Sequence, residues 1–202
     1  MKRVSTSSPT GIAAIAKRAL DLALASSVLL FGAPCWAVIA LAVRLTGKTV
    51  FFVQPRPGYR GRVFLLYKFR TMVDGTEESE EASRAARTTR IGNLLRRTSL
   101  DEIPQLYNVL RGEMSIVGPR PLLVDYLDRY SGNEHRRHDV LPGLTGWAQI
   151  HGRNDTTWQE RLDRDLWYVD NWSLALDLKI IARTFARLLD GAQPMSEFRK
   201  PS

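Results

Sequence analysis

Asp101 and Glu102 stand side by side in "RRTSLDEIPQLYNVL", residues 96–110, just after Arg96 and Arg97. Adjacent carboxylates beside arginines are equipped for phosphate chemistry. A carboxylate can attack phosphorus and form a covalent acyl phosphate, dividing one hard step into two. Its neighbour can hold Mg²⁺, which takes one or two carboxylates together with substrate phosphates. Guanidinium groups grip phosphate in bidentate fashion and offset charge in the transition state. The same residues also fit an ordinary helix start. Ser99 and Glu102 match the S-x-x-E capping box, and Asp101 would favour the helix dipole. Pro104 complicates the capping box. With Ser99 as N-cap its missing N–H falls where one is first needed, whereas with Asp101 as N-cap it falls in the tolerant first turn. Spacing alone leaves both the catalytic and the capping roles open.

Other stretches could serve the same chemistry. Arg84, Arg87, Arg90, Arg96 and Arg97 crowd ahead of the pair. Most suit a helix surface, but a subset could cradle phosphate. In "GEMSIVGPRPLLVDYL", a loop at Gly118–Pro121 before a helix holds Arg120 between two prolines on a stiff backbone. "LPGLTGWAQIHGRND", residues 141–155, is dense in glycine and carries Trp147, Gln149 and Arg153. Such a loop either lines a site or is a plain connector. His135 and His138 could share a helix face, but a zinc site needs more ligands, and neither HExxH nor paired cysteines occur. The Walker, GxGxxG and GxSxG signatures are missing, so triphosphatase, dinucleotide and serine-hydrolase functions lack their main signals. No reading helix or aromatic platform for nucleic acid stands out.

The elements that must position these residues begin with an apolar run, Leu22–Val43, without a charged residue. About 20 apolar residues can span a bilayer. A cleaved signal peptide fits poorly, because its apolar stretch is shorter and a small-residue cleavage site should follow. Gly32 and Pro34 interrupt the run, and Pro34 should kink it. Both flanks are basic: Lys2, Arg3, Lys17 and Arg18 before, Arg44 and Lys48 after. The positive-inside rule therefore places both ends in the cytoplasm. A helix that enters, bends and returns satisfies both facts, while a straight span with a tolerated proline is the alternative. Residues Thr49–Met72 should form a hairpin, with "TVFFV" and "RVFLLYKF" as strands and "QPRPGYRG" as the turn. Asp74–Glu81 is an acidic, solvated tract. Trp158, Trp167, Tyr168 and Trp172 suit either core packing or a membrane-interface belt. Leu174, Leu178, Ile181, Phe185 and Leu188 fall at helical spacing, with Lys179, Arg183 and Arg187 beside them. That helix could lie among lipid headgroups or pack on the core. The 202 residues allow one domain with a small appendage. The net charge of +8 calls for an anionic partner. A lone Cys35 fits a reducing compartment.

Taken together, the Pro34-broken segment, "QPRPG" at 54, "YKFRTM" at 67, "RTSLDEIPQLYNVLRGEMSIVGPRPLL" at 97 and "PGLTGWAQIHGRN" at 142 closely resemble the small monotopic phosphoglycosyl transferases of the bacterial sugar transferase family. The match runs from about Lys17 to about Leu189 and suggests the minimal form, without the extra N-terminal membrane domain of larger relatives. The resemblance implies transfer of a sugar-1-phosphate from a nucleotide-activated sugar, usually a UDP-sugar, to a membrane polyprenyl phosphate. UMP is released, as the first membrane step of glycan assembly. By the match, Asp101 corresponds to the nucleophile and Glu102 to its Mg²⁺-binding partner. Arg96 and Arg120 align with phosphate-binding arginines, and Lys68, Arg70 and Arg153 lie in matching motifs with less defined roles. The implied fold is α+β and mostly helical. Residues 1–16 would be a flexible basic N-terminus, 17–48 a re-entrant membrane helix broken at Pro34, 49–190 a cytoplasmic catalytic domain carrying a small hairpin and amphipathic interfacial helices, and 191–202 a tail. The implied location is the cytoplasmic face of the bacterial inner membrane, with no nucleic acid as partner. Two positions depart from the pattern: Ala33-Pro34 stands where many relatives carry Ser-Pro, and Glu113 where aspartate is common. A catalytically inactive, membrane-anchored binding protein of the same fold is the competing function.

Overall fold

A computed structural model describes residues 11–47, 49–73, 88–130, 132–152 and 156–189. Arg84, Arg87, Arg153, the acidic tract and the C-terminal tail lie outside the described residues. The chain is mostly helical. Helices α1 (Gly11–Phe31) and α2 (Ala33–Thr46) precede an antiparallel hairpin, β1 (Phe51–Pro57) and β2 (Val63–Phe69). Then come α3 (Arg90–Arg97), α4 (Gln105–Arg111), β3 (Ser115–Val117), β4 (Gly143–Thr145), α5 (Trp147–His151), α6 (Trp158–Asn171) and α7 (Leu174–Leu189). Short 3₁₀ turns link several of them. The sequence pattern shows the hairpin but not the β3–β4 pair, because three-residue strands carry no usable periodicity.

Neither α1 nor α2 is long and apolar enough to cross a membrane alone, but the pair together is, and it bends by 66°. The break falls at Gly32, two residues ahead of Pro34, in the turn whose hydrogen bond a proline removes. Pro34 sits in the first turn of α2, where its missing N–H costs nothing. Gly32 and Trp36 pack together at the bend. A Cβ on Gly32 would lie 2.3 Å from the Trp36 ring, so only glycine admits the indole there. The Trp36 Nε1–H then donates to the Val28 carbonyl at 3.0 Å. Ala33 has no hydroxyl to bond back to the preceding turn, and the Trp36 indole supplies that contact instead.

Of the basic flank ahead of the apolar run, Lys17 and Arg18 turn into the protein. Lys17 is 7 % exposed. It bonds Asp177 Oδ2 at 2.6 Å and the Val117 carbonyl at 3.0 Å. Arg18 donates to the carbonyls of Val109 and Leu110 at 2.7 and 2.9 Å, which caps the C-terminal end of α4. Asp21, one turn after Lys17, accepts from Ser115 Oγ and the Ile116 N–H. Buried charges need partners of this kind, and here they weld α1 to β3, α4 and α7. Ala25 of α1 joins Leu106, Val109, Met114, Val117, Val169 and Ile180 in the main core.

The hairpin pairs Phe51 with Phe69 and Pro57 with Val63. "QPRP" therefore belongs to β1, and the turn is confined to Gly58–Arg62. Prolines 55 and 57 are tolerated because a two-stranded sheet leaves each strand an unpaired edge. The glycine-dense segment after Leu141 builds β4, which pairs in parallel with β3. Its glycines allow close packing: a Cβ on Gly143 would meet the Gly118 nitrogen at 2.0 Å, and one on Gly118 the Leu141 carbonyl at 2.3 Å.

Of the aromatic cluster, Tyr168 is fully buried, and Trp172 and Trp158 pack against buried clusters. Trp167 is half-exposed and stacks on Trp147 with centroids 4.3 Å apart. Helix α7 buries Leu176, Asp177 and Ile180, whereas Leu178, Phe185 and Leu188 of the apolar stripe face outward. The carboxylate of Asp177 makes the difference. It accepts from Lys17, the Tyr168 hydroxyl at 2.7 Å and the Trp172 indole at 3.1 Å, so a polar residue lies on the inner face.

His135 and His138 both pack on the ring of Tyr130. His138 Nδ1 lies 3.1 Å from the Gly58 carbonyl, which can only accept, so Nδ1 carries the proton. Its Nε2 is buried with no partner among the described residues. Burial, with the Arg137 charge beside it, lowers His138 to about 4. The unfolded chain then binds a proton near pH 6.5 that the fold refuses until about pH 4. Stability should fall across that window by up to about 3 kcal/mol. His138→Asn keeps an N–H for Gly58 without titrating. Its melting temperature should decline less steeply than that of the wild type from pH 6.5 to 4, and parallel curves would refute the assignment.

Candidate active site

Asp101 and Glu102 lie on a 3₁₀ turn, Leu100–Glu102, between α3 and α4. Neither capping role holds. Ser99 adopts a left-handed conformation, φ 57°, with no side-chain cap bond, and α4 starts at Gln105 behind Pro104. The turn is closed by the Glu102 N–H on Ser99 O and the Ile103 N–H on Leu100 O. Leu100 and Ile103 pack against the cores, which pins the turn while both carboxylates stay partly accessible. A non-glycine residue in the left-handed region costs about 1–3 kcal/mol and is tolerated where surrounding structure enforces it.

Two elements far apart in sequence converge on Glu102. Lys68 on β2 reaches Oε1 at 2.9 Å. Arg120, on the loop after β3, places Nη2 on Oε1 at 2.5 Å and Nη1 on Oε2 at 3.3 Å. Burial by itself would raise this carboxyl, but Arg120 and Lys68 override it and hold Glu102 far below the carboxylate range. Asp101 goes the other way. Burial first, then the charge of Glu102, raise it to about 6, against the opposing pull of Lys68, Arg120 and Arg96. One carboxylate is thus locked in salt bridges. The other makes no hydrogen bond among the described residues and is unusually basic, as a nucleophile or proton acceptor should be.

Arg96 belongs to this cluster through its charge, while its Nε–H donates to Thr71 Oγ1 at 2.8 Å. Helix α3 comes this close to Thr71 because Gly92 has no side chain: a Cβ there would lie 2.0 Å from the Thr71 carbonyl. Arg70 stands one residue past β2, its backbone N–H on Val50 O, and bonds neither carboxylate. Arg153 lies outside the described residues.

The residue that sets Lys68 in place has no signature in the sequence. Asn108, fully buried on α4, donates to Leu65 O at 2.7 Å and accepts from the Tyr67 N–H at 3.2 Å, so it ties the hairpin to α4. Its Nδ2 also donates to Glu113 Oε2 at 2.7 Å. The carboxylate at position 113 is thus a support for Asn108. The signal for such a residue would be an amide in the middle of an apolar helix face, which spacing alone cannot tell from a surface amide.

Among the described residues no group of three or more histidine, cysteine, aspartate or glutamate side chains gathers to hold a metal ion. The donor set nonetheless fits Mg²⁺, which needs only one or two protein carboxylates when substrate phosphates supply the rest. Asp101 makes no hydrogen bond among the described residues, and Glu102 Oε2 carries only the 3.3 Å contact from Arg120 Nη1, so these are the oxygens that would hold the ion.

The profile of the bacterial sugar transferase family matches residues 12–191. The chain is 50% identical over 181 residues to the sugar transferase EpsL of Bacillus subtilis, covering 87% of this chain and 88% of that protein. It is 41% identical over 192 residues to the exopolysaccharide production protein ExoY of Rhizobium meliloti, covering 86% and 85%. It is also 43% identical over 188 residues to the UDP-glucose:undecaprenyl-phosphate glucose-1-phosphate transferase of Escherichia coli, covering 87% of this chain but only 40% of that longer protein. With the family profile matching nearly the whole chain and the paired carboxylates held among basic groups, the protein belongs to the bacterial sugar transferase family.

Proposed function

We propose that the protein transfers a sugar-1-phosphate from a UDP-sugar to a polyprenyl phosphate, releasing UMP, through a covalent phosphosugar on Asp101. The observation that carries this is the asymmetry of the pair: Glu102 clamped by Lys68 and Arg120, Asp101 unbonded and raised to about 6. In this reading the Asp101 carboxylate attacks the donor's β-phosphorus, and the bond from that phosphorus to the bridging oxygen breaks, with UMP as leaving group. The polyprenyl phosphate oxygen then displaces Asp101, giving polyprenyl-diphosphate-sugar and the free carboxylate. Arg96 and Arg120 would hold the phosphates, and Lys68 would keep Glu102 ionised and in place. Bound Mg²⁺, held by Glu102 and Asp101, would neutralise phosphate charge. The names of relatives in Escherichia coli and Xanthomonas campestris support this reaction class.

Both the acceptor and the bent helix pair favour a membrane location. Phe31, at the bend, is 82 % exposed, and Leu30, Val38, Leu41 and Leu45 are also exposed. Water would not tolerate such a surface, but lipid would. We take α1–α2 to dip into the cytoplasmic leaflet and return, with the outward stripe Leu178, Phe185 and Leu188 of α7 at the interface. Cysteines placed at either end, in a Cys35→Ser background, should both stay unlabelled by an impermeant reagent in intact cells. Labelling of one end alone would show a span.

The reaction is tested with a panel of UDP-sugars and polyprenyl phosphate, read as UMP release. At least one donor should turn over, activity should vanish in chelator, and Mg²⁺ should restore it. If no donor turns over, the inactive binding protein is the better account. If full activity persists in chelator, Glu102 has been given the wrong role.

A further inference from the structure

Arg120 can serve Glu102 only if its backbone is held, and the structure shows how this is done. The Arg120 carbonyl accepts from Arg137 Nη2 at 2.8 Å. Arg137 is 2 % exposed. Its Nη2 also donates to Asp165 Oδ2 of α6 at 2.6 Å, and its Nη1 to the Tyr130 hydroxyl at 2.9 Å. Asp165 and Tyr130 are buried too. The next residue of the loop is gripped in the same way, with Arg56 Nη1 on the Pro121 carbonyl at 3.3 Å. Gly118 and Pro119 complete the anchoring through backbone bonds to β4: the Gly118 N–H donates to Thr145 O, and the Gly143 N–H to Pro119 O, both at 2.9 Å.

A buried ion pair is a poor choice for stability alone, because apolar residues of similar volume often do as well or better. What a buried guanidinium adds is direction: a planar fork that meets several acceptors in fixed relative positions. Here one of those acceptors is the main chain of a residue in the site. Arg137 touches neither carboxylate.

We infer that the Arg137–Asp165 pair is a positioning device for the proposed transfer: it fixes the backbone of Arg120, and through it the guanidinium that clamps Glu102. Arg137 and Asp165 act through Arg120 and have no other part in the chemistry. The inference rests on the reaction proposed above.

A double-mutant cycle tests it, with full-length enzyme in detergent, the best UDP-sugar donor and UMP release as readout. Arg137→Lys keeps the positive charge beside Asp165 but loses the fork. It should lower kcat by about tenfold to a hundredfold, the scale of a small misplacement in a site. In an Arg120→Lys background the same change should lower kcat by less than about twofold, because the group it positions is already altered. Tyr130→Phe removes another acceptor of the same guanidinium but leaves the Arg120 carbonyl bond. It should keep kcat within about threefold of wild type. Equal losses from Arg137→Lys in both backgrounds would show general loosening and overturn the inference. So would an Arg137→Lys enzyme with wild-type kcat and only a lowered melting temperature, or a Tyr130→Phe enzyme as impaired as Arg137→Lys. Should Arg137→Lys not fold, Asp165→Asn takes its place, with the same criterion. A wild-type enzyme that turns over no donor overturns the proposed reaction and this role together. An active wild type with additive losses overturns this role alone.

Discussion

Asp101→Asn is expected to abolish turnover, by about a thousandfold or more, and to leave the fold intact. The size follows from the role. A neutral amide is a poor nucleophile, and removing a group on which a covalent intermediate forms leaves only binding and electrostatic assistance. The intact fold follows from the structure. Asp101 caps no helix and makes no hydrogen bond among the described residues, so asparagine of the same shape gives up no contact. Its charge is a burden to the folded state, since burial and Glu102 both disfavour ionisation. At neutral pH the variant should melt at the same temperature as wild type or higher, a common exchange at active sites. Mass spectrometry of wild type with donor alone should show a sugar-phosphate adduct on the peptide holding Asp101, absent in the variant. A folded Asp101→Asn enzyme with near-normal turnover would refute the covalent mechanism.

The second large effect is expected at Arg120. Arg120→Ala should lower kcat by about 10²–10³-fold, the usual loss for one donor aimed at developing charge. The fold should persist for two reasons. Lys68 still pairs with Glu102 at 2.9 Å, so no carboxylate is stranded. The loop is held by its main chain, through Arg137 and Arg56. Arg120→Lys should recover part of the rate, because an ammonium supplies charge without the two-pronged geometry. Steady-state kinetics with melting curves separates the cases. An alanine variant within about threefold of wild type would remove Arg120 from the site.

Glu102 illustrates why adjacency in sequence is a weak guide to chemistry. Asp101 and Glu102 are neighbours of the same class on one turn, yet one is driven up and the other far down. The difference comes from which of them Lys68 and Arg120 reach, from 34 and 18 residues away in sequence.

Local chemistry was legible in the residues themselves. Turn formers and alternation mark the hairpin and apolar length marks the bent segment, because each depends on residue type and near-neighbour spacing, whereas the grouping of Asp101 and Glu102 with Arg96, Arg120 and Lys68 was expected only from the family resemblance. Three-dimensional packing decided the rest. Lys17 and Arg18 look like a membrane flank until Asp177 and the end of α4 are found beside them. Pro34 marks the break, but the closure of Trp36 on Gly32 beside it shows only in the fold. The stripe on α7 suits a headgroup layer or a core face equally, until Asp177, meeting Lys17, Tyr168 and Trp172, leaves Leu178, Phe185 and Leu188 outward. Asn108, Arg137 and Asp165 carry no motif, since a buried polar residue is defined by the partners that satisfy it. Those partners come from other elements, so periodicity within one element cannot reveal them and only the tertiary structure can.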